Sequence, residues 1–250
     1  MRRAARALGA HLASAGTDLL RGLERVLDGR AARLLLVAAG LAAGWWIYVP
    51  LHELFHAWGC LAAGGRVSRL EIDPLYGGAL LSRIVPFVVS GGAYAGRLSG
   101  FDTRGSDLVY FATDCAPYLL TLFPGVWALR RAALRASPLF FGAALSWAYA
   151  PWIAVTGDAY EIGSLGAVHL PPWSGEPGAR ALLVGDDVAL RWEALAKAGP
   201  GAPWGGLATA LLVGIGWAAA IWCLASWLSS RLAAPPLESA ARPAAAEAIR

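Results

Sequence analysis

The sequence predicts a mainly α membrane protein with about four transmembrane helices and a small membrane-associated β element after the first. Three observations carry this reading. Of the 250 residues, 57% are hydrophobic and only 15% charged, against roughly 45–50% and 25% in soluble domains. Mean hydropathy is +0.51. The apolar residues also gather into runs that approach or exceed the roughly 20 residues that a helix needs to cross a bilayer. Together these exclude intrinsic disorder, a disulfide-stapled mini-protein and a typical soluble enzyme. The basic pI near 9.2 does not point to nucleic acid. Net charge is only +4, Lys197 is the sole lysine, and the arginines sit between apolar runs, where they orient a membrane protein.

Residues 1–33 form a basic amphipathic segment. Seven arginines lie among Leu and Ala, and Leu8, Leu12, Leu19, Leu23 and Leu27 recur at roughly helical spacing, as in a helix lying on a membrane surface. No apolar stretch directly follows the first arginines, so a cleaved signal peptide is not expected. The first span covers residues 34–64, which are apolar except for His52, Glu53 and His56. Pro50 lacks a backbone donor and is the expected bend. Trp45, Trp46 and Tyr48 suit either an interfacial belt or packing inside a bundle.

Character changes over 66–97. Val67, Leu70 and Ile72 alternate with Arg66, Arg69, Glu71 and Asp73, the period of a half-buried strand. Gly77-Gly78 reads as a turn, and a second extended stretch follows from Leu80 to Val89. With Arg83 and Arg97 in the way, a β-hairpin or re-entrant element is expected in place of another span.

Three further spans are predicted near 108–129, 139–156 and 207–228. The first of these contains Asp114, Pro117 and Pro124 and ends at Arg130, Arg131 and Arg135. Residues 157–204 read as a polar loop carrying Asp158, Glu161, Glu176, Asp186, Asp187 and Glu193. The Ala- and Pro-rich tail from 230 is expected to be disordered. With the amino terminus inside, basic residues divide thirteen inside to eight outside, which favours a cytoplasmic amino terminus. Cys60, Cys115 and Cys223 are scattered, with no CxxC spacing. They predict no disulfide framework and no thiolate metal site.

The chemistry lies in His52-Glu53-Leu54-Phe55-His56, an HExxH pattern. On a helix, positions i and i+4 share a face one turn apart. Two imidazoles so placed can both reach one Zn²⁺ at about 2.0–2.1 Å. Glu53 beside them can take the proton of a metal-activated water and return it to a leaving amine. Ionisable groups within an apolar helix are costly, so by default they mark function. A catalytic zinc normally has three protein ligands, and the residues alone leave the third open. Asp114 lies within an apolar run, and Asp158 and Glu161 close another. His169 sits in a Pro-rich loop and reads as solvated.

Residues 45–160 resemble the site-2 protease family of intramembrane zinc metallopeptidases. The resemblance rests on HELFHAWGCLAAGG at 52–65 with the following RVSRLEI, on SGGAYAG at 90–96, on CAPYLL at 115–120 and on TGDAYEIG at 156–163. It implies that HExxH lies in a membrane helix followed by a β region, with His52 and His56 as zinc ligands, Glu53 as base and Asp158 as third ligand. The implied activity is hydrolysis of a peptide bond in a membrane-protein substrate by a multi-pass protein of a bacterial inner (plasma) membrane. The chain departs from the family in lacking glycines after Asp158, an Asn three residues after Pro117, and a PDZ domain. The resemblance is thus to a divergent member, over the core at 34–229. The family core places HExxH toward the cytosol, whereas the arginine count places it nearer the outside. Two other readings stand beside this one. A membrane zincin resembling the prenyl-protein proteases would use Glu161 as third ligand. A non-catalytic scaffold could keep the fold, but it would have no need of Glu53.

Overall fold

A computed structural model describes residues 2–185 and 187–237. Asp186 of the expected polar loop and residues 238–250 of the expected disordered tail lie outside the described residues. Helices dominate, as the composition implies. In order they are α1 (Arg2–Leu27), α2 (Arg33–Ala62), α3 (Gly78–Leu81), α4 (Asp107–Cys115), α5 (Tyr118–Leu120), α6 (Val126–Leu134), α7 (Pro138–Ile153), α8 (Asp158–Ala167), α9 (Pro177–Leu183), α10 (Val188–Ala198) and α11 (Trp204–Arg231). Strands β1 (Arg66–Ile72), β2 (Val88–Ser90) and β3 (Gly96–Asp102) form one small sheet.

Among the described residues, three helices are long and apolar enough to cross a membrane: Arg33–Ala62, Pro138–Thr156 and Trp204–Arg231. The fourth expected span, 108–129, is helical only in pieces. Pro117 and Pro124 remove backbone donors and crowd the preceding turn. At Phe123 the backbone leaves helical geometry altogether, with φ −158° and ψ 129°. Helix α2, by contrast, continues through Pro50.

Contacts divide the chain into two units. The first comprises Met1–Tyr48, Tyr118–Ala150 and Ala219–Arg250. Here α2 and α7 meet along small residues. A Cβ on Gly40 would lie 2.0 Å from the Leu139 carbonyl oxygen, and one on Gly44 would lie 2.2 Å from that of Ala143. Because 40 and 44 meet 139 and 143 in the same order, these two helices run parallel. Such close backbone approach is how apolar helices gain packing when hydrophobicity cannot drive them together. Tyr48 is buried, stacks on Trp45 and meets Trp147 edge-on, whereas Trp46 is half exposed.

Arg130, which the charge pattern counts among the arginines that orient the protein, is fully buried in this unit. Its Nε donates to Asp18 at 2.7 Å, and its other nitrogens donate to Ser14, to the hydroxyl and carbonyl of Ser226, and to the Ala234 carbonyl. The Leu237 amide donates to the second Asp18 oxygen at 2.9 Å. Residues 234–237, expected in a disordered tail, are therefore held in place, with Ala234 and Leu237 buried.

The second unit comprises Val49–Pro117 and Pro151–Ala218. Its sheet has the order β2-β1-β3, with β1 parallel to β2 and antiparallel to β3. Of the expected alternatives, a β-hairpin or a re-entrant element, β1 and β2 do not form the hairpin. Only Val88–Ser90, near the end of the predicted extended stretch Leu80 to Val89, is strand, and it pairs parallel to β1 after a crossover. A 3-10 turn and α3 occupy 74–81. Gly77, at φ 84°, makes the reversal there. Leu70 and Ile72 of β1 and Val88 of β2 are buried with Leu54 and Ala57 of α2. The alternation in β1 thus places its apolar face on the helix that carries HExxH.

Residues 157–204, predicted as a polar loop, contain α8, α9 and α10. Tyr160, Leu183, Leu195 and Leu207 form their shared core, and the Tyr160 hydroxyl donates to the Leu183 carbonyl at 2.8 Å. These helices are short and rich in Gly, Pro and charge, so their periodicity is weak in the sequence. Helix α8 is pressed against α11. A Cβ on Gly163 would lie 2.0 Å from the Ala210 carbonyl oxygen, and one on Gly214 would lie 2.4 Å from that of Ala159.

Candidate metal centre

Four elements of the second unit build the site. Helix α2 supplies His52, Glu53 and His56, one helical turn whose other face, through Leu54 and Ala57, is buried against the sheet. Helix α8 begins at Asp158, directly after Gly157, and its packing on α11 fixes that first turn. Helix α4 is capped by Ser106, whose hydroxyl accepts from the Val109 amide. It presents Tyr110, Thr113 and Asp114. Strand β3 closes the site from the remaining side.

The imidazole Nε2 atoms of His52 and His56 are 3.0 Å apart. His52 Nε2 lies 3.3 Å from Asp158 Oδ2, and His56 Nε2 lies 3.6 Å from Asp158 Oδ1. Tetrahedral ligands about 2.0–2.1 Å from a zinc stand roughly 3.3 Å from one another, and the three separations bracket that value. The set also fits a cation chemically. His56 Nδ1 is 2.9 Å from the Thr113 carbonyl oxygen and must donate to it, because a carbonyl only accepts. That leaves the neutral ring's Nε2 lone pair facing His52 and Asp158, and such a carbonyl partner is what commonly orients a metal-binding histidine. Asp158 Oδ2 is buried without a hydrogen-bond donor among the described residues. Two ring nitrogens and a carboxylate oxygen facing one another at these distances suit a shared cation.

Glu53 lies beside this cluster, with the Leu98 backbone in hydrogen-bonding contact with its carboxylate. Gly96 of β3 sits against it. A Cβ there would come within 2.4 Å of Glu53 Cγ and 3.2 Å of Oε1. Glu53, His56 and Asp158 line one wall of a cavity of about 240 Å³, with β3 and α4 forming others.

The structure brings together His52, His56 and Asp158, the only such His/Cys/Asp/Glu group with converging ligand atoms among the described residues. Asp114 and Glu161 line the same cavity outside that group. The Tyr110 hydroxyl donates to Glu161 at 2.5 Å. His169 is engaged elsewhere, 3.0 Å from the Asp107 carboxylate, which also binds Arg180. Hydrogen bonds from Arg180, assisted by His169, hold the Asp107 carboxyl below the usual carboxylate range, against the opposing effect of partial burial. Sequence reasoning missed Thr113 and Gly96. Thr113 acts through its carbonyl oxygen, which any residue could supply. Gly96 matters for the side chain it lacks, and only the SGGAYAG run hinted at a close approach.

In comparisons with known proteins, no family model, no curated protein and no solved structure matches the chain.

Proposed function

We propose that this protein is a zinc-dependent intramembrane endopeptidase that hydrolyses a peptide bond of a membrane-protein substrate. One observation carries the proposal: two imidazole nitrogens from a helix apolar enough to span a membrane converge with the Asp158 carboxylate of α8 at the spacing of zinc ligands, beside the half-buried Glu53. His52, His56 and Asp158 would hold the ion. When bound, zinc supplies Lewis acidity that activates water and polarises the scissile carbonyl. Glu53 accepts the proton of the attacking water and delivers it to the amine nitrogen as the peptide bond breaks. The contacts of Gly96 and Leu98 hold its carboxylate for this task, and the Thr113 carbonyl fixes the His56 tautomer. The polar cavity between β3 and α4 gives water the path that hydrocarbon denies it, while the β region and the segment 157–204 shield the site and admit an unwound substrate.

The location that suits this reading is a bacterial inner membrane, crossed several times, with the broken segment 108–129 as a further membrane-embedded stretch. Asp158 is favoured over Glu161 as third ligand because its oxygens face both imidazoles, whereas Glu161 is bonded to Tyr110. That favours the site-2 protease pattern over the prenyl-protease one. A scaffold would leave the half-buried Glu53 beside the cluster unexplained. The test is Glu53→Gln: purified variant should retain about one zinc per chain and lose proteolysis. Full activity in that variant refutes the mechanism, and absence of zinc from the wild-type protein refutes the metal assignment.

A further inference from the structure

A second cavity, of about 310 Å³, lies within the first unit. Its walls are apolar: Trp127 of α6, Phe140 and Trp147 of α7, and Ile47 of α2. Phe140 and Ile47 are exposed, so the groove opens to the protein's surface. The groove exists because the chain breaks at Phe123–Pro124. The break lets α6 start afresh, and Gly125 then packs closely on the Trp147 backbone.

One end of the groove is charged. Arg131 and Arg135 lie there, beside the start of α7. Neither side chain has a hydrogen-bonding or acidic partner among the described residues, whereas the guanidinium of their neighbour Arg130 is fully committed to Asp18 and its surroundings. Helix α7 belongs to a membrane-crossing candidate, Pro138–Thr156, so its first residues mark a membrane surface. From Ser137 to Trp147 the helix rises about 15 Å, half of a hydrocarbon core roughly 30 Å thick. The groove therefore extends from two guanidinium groups, without an acidic partner among the described residues, at the headgroup level to a tryptophan near the bilayer midplane, the depth of one leaflet.

We propose that this groove is a binding site for a single anionic phospholipid, with one acyl chain along Trp127, Phe140 and Trp147 and the headgroup phosphate on Arg131 and Arg135. In a bilayer an acyl chain gains little by leaving other lipids for an apolar wall. The groove thus fixes where the lipid lies, and the arginines fix which lipid it is. A phosphatidylglycerol head carries a net negative charge, while in phosphatidylcholine the quaternary ammonium cancels it. Guanidinium forks also match phosphate oxygens in geometry. Near a membrane surface each arginine is expected to give about a five-fold preference for the anionic lipid.

The test is native mass spectrometry of the full chain in detergent with equimolar phosphatidylglycerol and phosphatidylcholine. Phosphatidylglycerol should be retained preferentially, Arg131→Gln with Arg135→Gln should remove that preference, and Arg131→Lys with Arg135→Lys should keep most of it. Ala128→Phe fills the groove without changing charge and should lower phosphatidylglycerol occupancy. Equal retention of the two lipids, an undiminished preference in the double glutamine variant, or unchanged occupancy in Ala128→Phe would each overturn the assignment.

Discussion

Gly96→Ala tests whether β3 positions Glu53, the proposed base. Gly96 does not have positive φ, so alanine adds a methyl group without backbone strain. That methyl would stand 2.4 Å from Glu53 Cγ and 3.0 Å from Cδ. Carbon atoms settle at about 3.5–4.0 Å, so Glu53 or β3 must give way by roughly 1 Å. The clash falls on the middle of the Glu53 side chain, which cannot swing clear without carrying its carboxylate along. A misplacement of about 1 Å in a catalytic group can cost about 100-fold in rate. His52, His56 and Asp158 are not among the atoms struck, so zinc content should hold. The assay is cleavage of a fluorescently labelled unfolded protein in detergent, with zinc measured by mass spectrometry on the same sample. Gly100→Ala is the control: it strikes Ser68 and Arg69 in the same sheet without reaching Glu53, so it should slow cleavage far less. Wild-type rates in Gly96→Ala, or equal losses in both variants, would refute the argument.

Other substitutions probe the ligand set and the scaffold. Asp158→Ala should lose most bound zinc and all cleavage, whereas Asp114→Ala should keep measurable zinc; metal analysis of the two purified variants decides between them. Arg130→Met leaves Asp18 buried without its partner and should destabilise the fold by about 3–5 kcal/mol, read as a fall in thermal midpoint, with Asp18→Leu added to Arg130→Met recovering part of it. The Asp107 carboxyl is held below its usual range by Arg180, so its stabilisation is fully present above the ordinary carboxylate pKa and fades as pH falls through the depressed one. The pair is partly exposed, so this contribution stays below about 1 kcal/mol. Asp107→Asn should therefore be less stable than wild type at pH 6, with the gap narrowing as pH falls below the ordinary carboxylate range, as denaturant titrations at neutral and acidic pH would show.

Composition and short-range spacing were enough to predict the features that depend on neighbours in the chain. Apolar runs of bilayer length predicted the three long helices, because hydropathy is summed over adjacent residues. The alternation at 66–73 predicted β1, and the i, i+4 histidines placed two imidazoles and a carboxylate on one helical turn, because helix periodicity is local. Which of Asp114, Asp158 and Glu161 would face those imidazoles was undecided by the residues, since all three adjoin apolar runs and depth alone favours none. Tertiary packing decided it: the glycine contacts of α8 with α11 fix the first turn of α8, and Asp158 on that turn comes within 3.6 Å of the ring nitrogens. The parallel β1–β2 pairing, the folding of 157–204 into helices and the burial of Arg130 were likewise invisible beforehand. Each depends on partners far away in sequence: Arg130 meets Asp18 across 112 positions, and nothing in the local pattern distinguishes it from Arg131 beside it. The backbone carbonyl that orients His56 leaves no side-chain signature, and the glycine run at 90–96 does not say which residue a missing Cβ makes room for, so only the folded chain identifies Glu53 as the neighbour of Gly96.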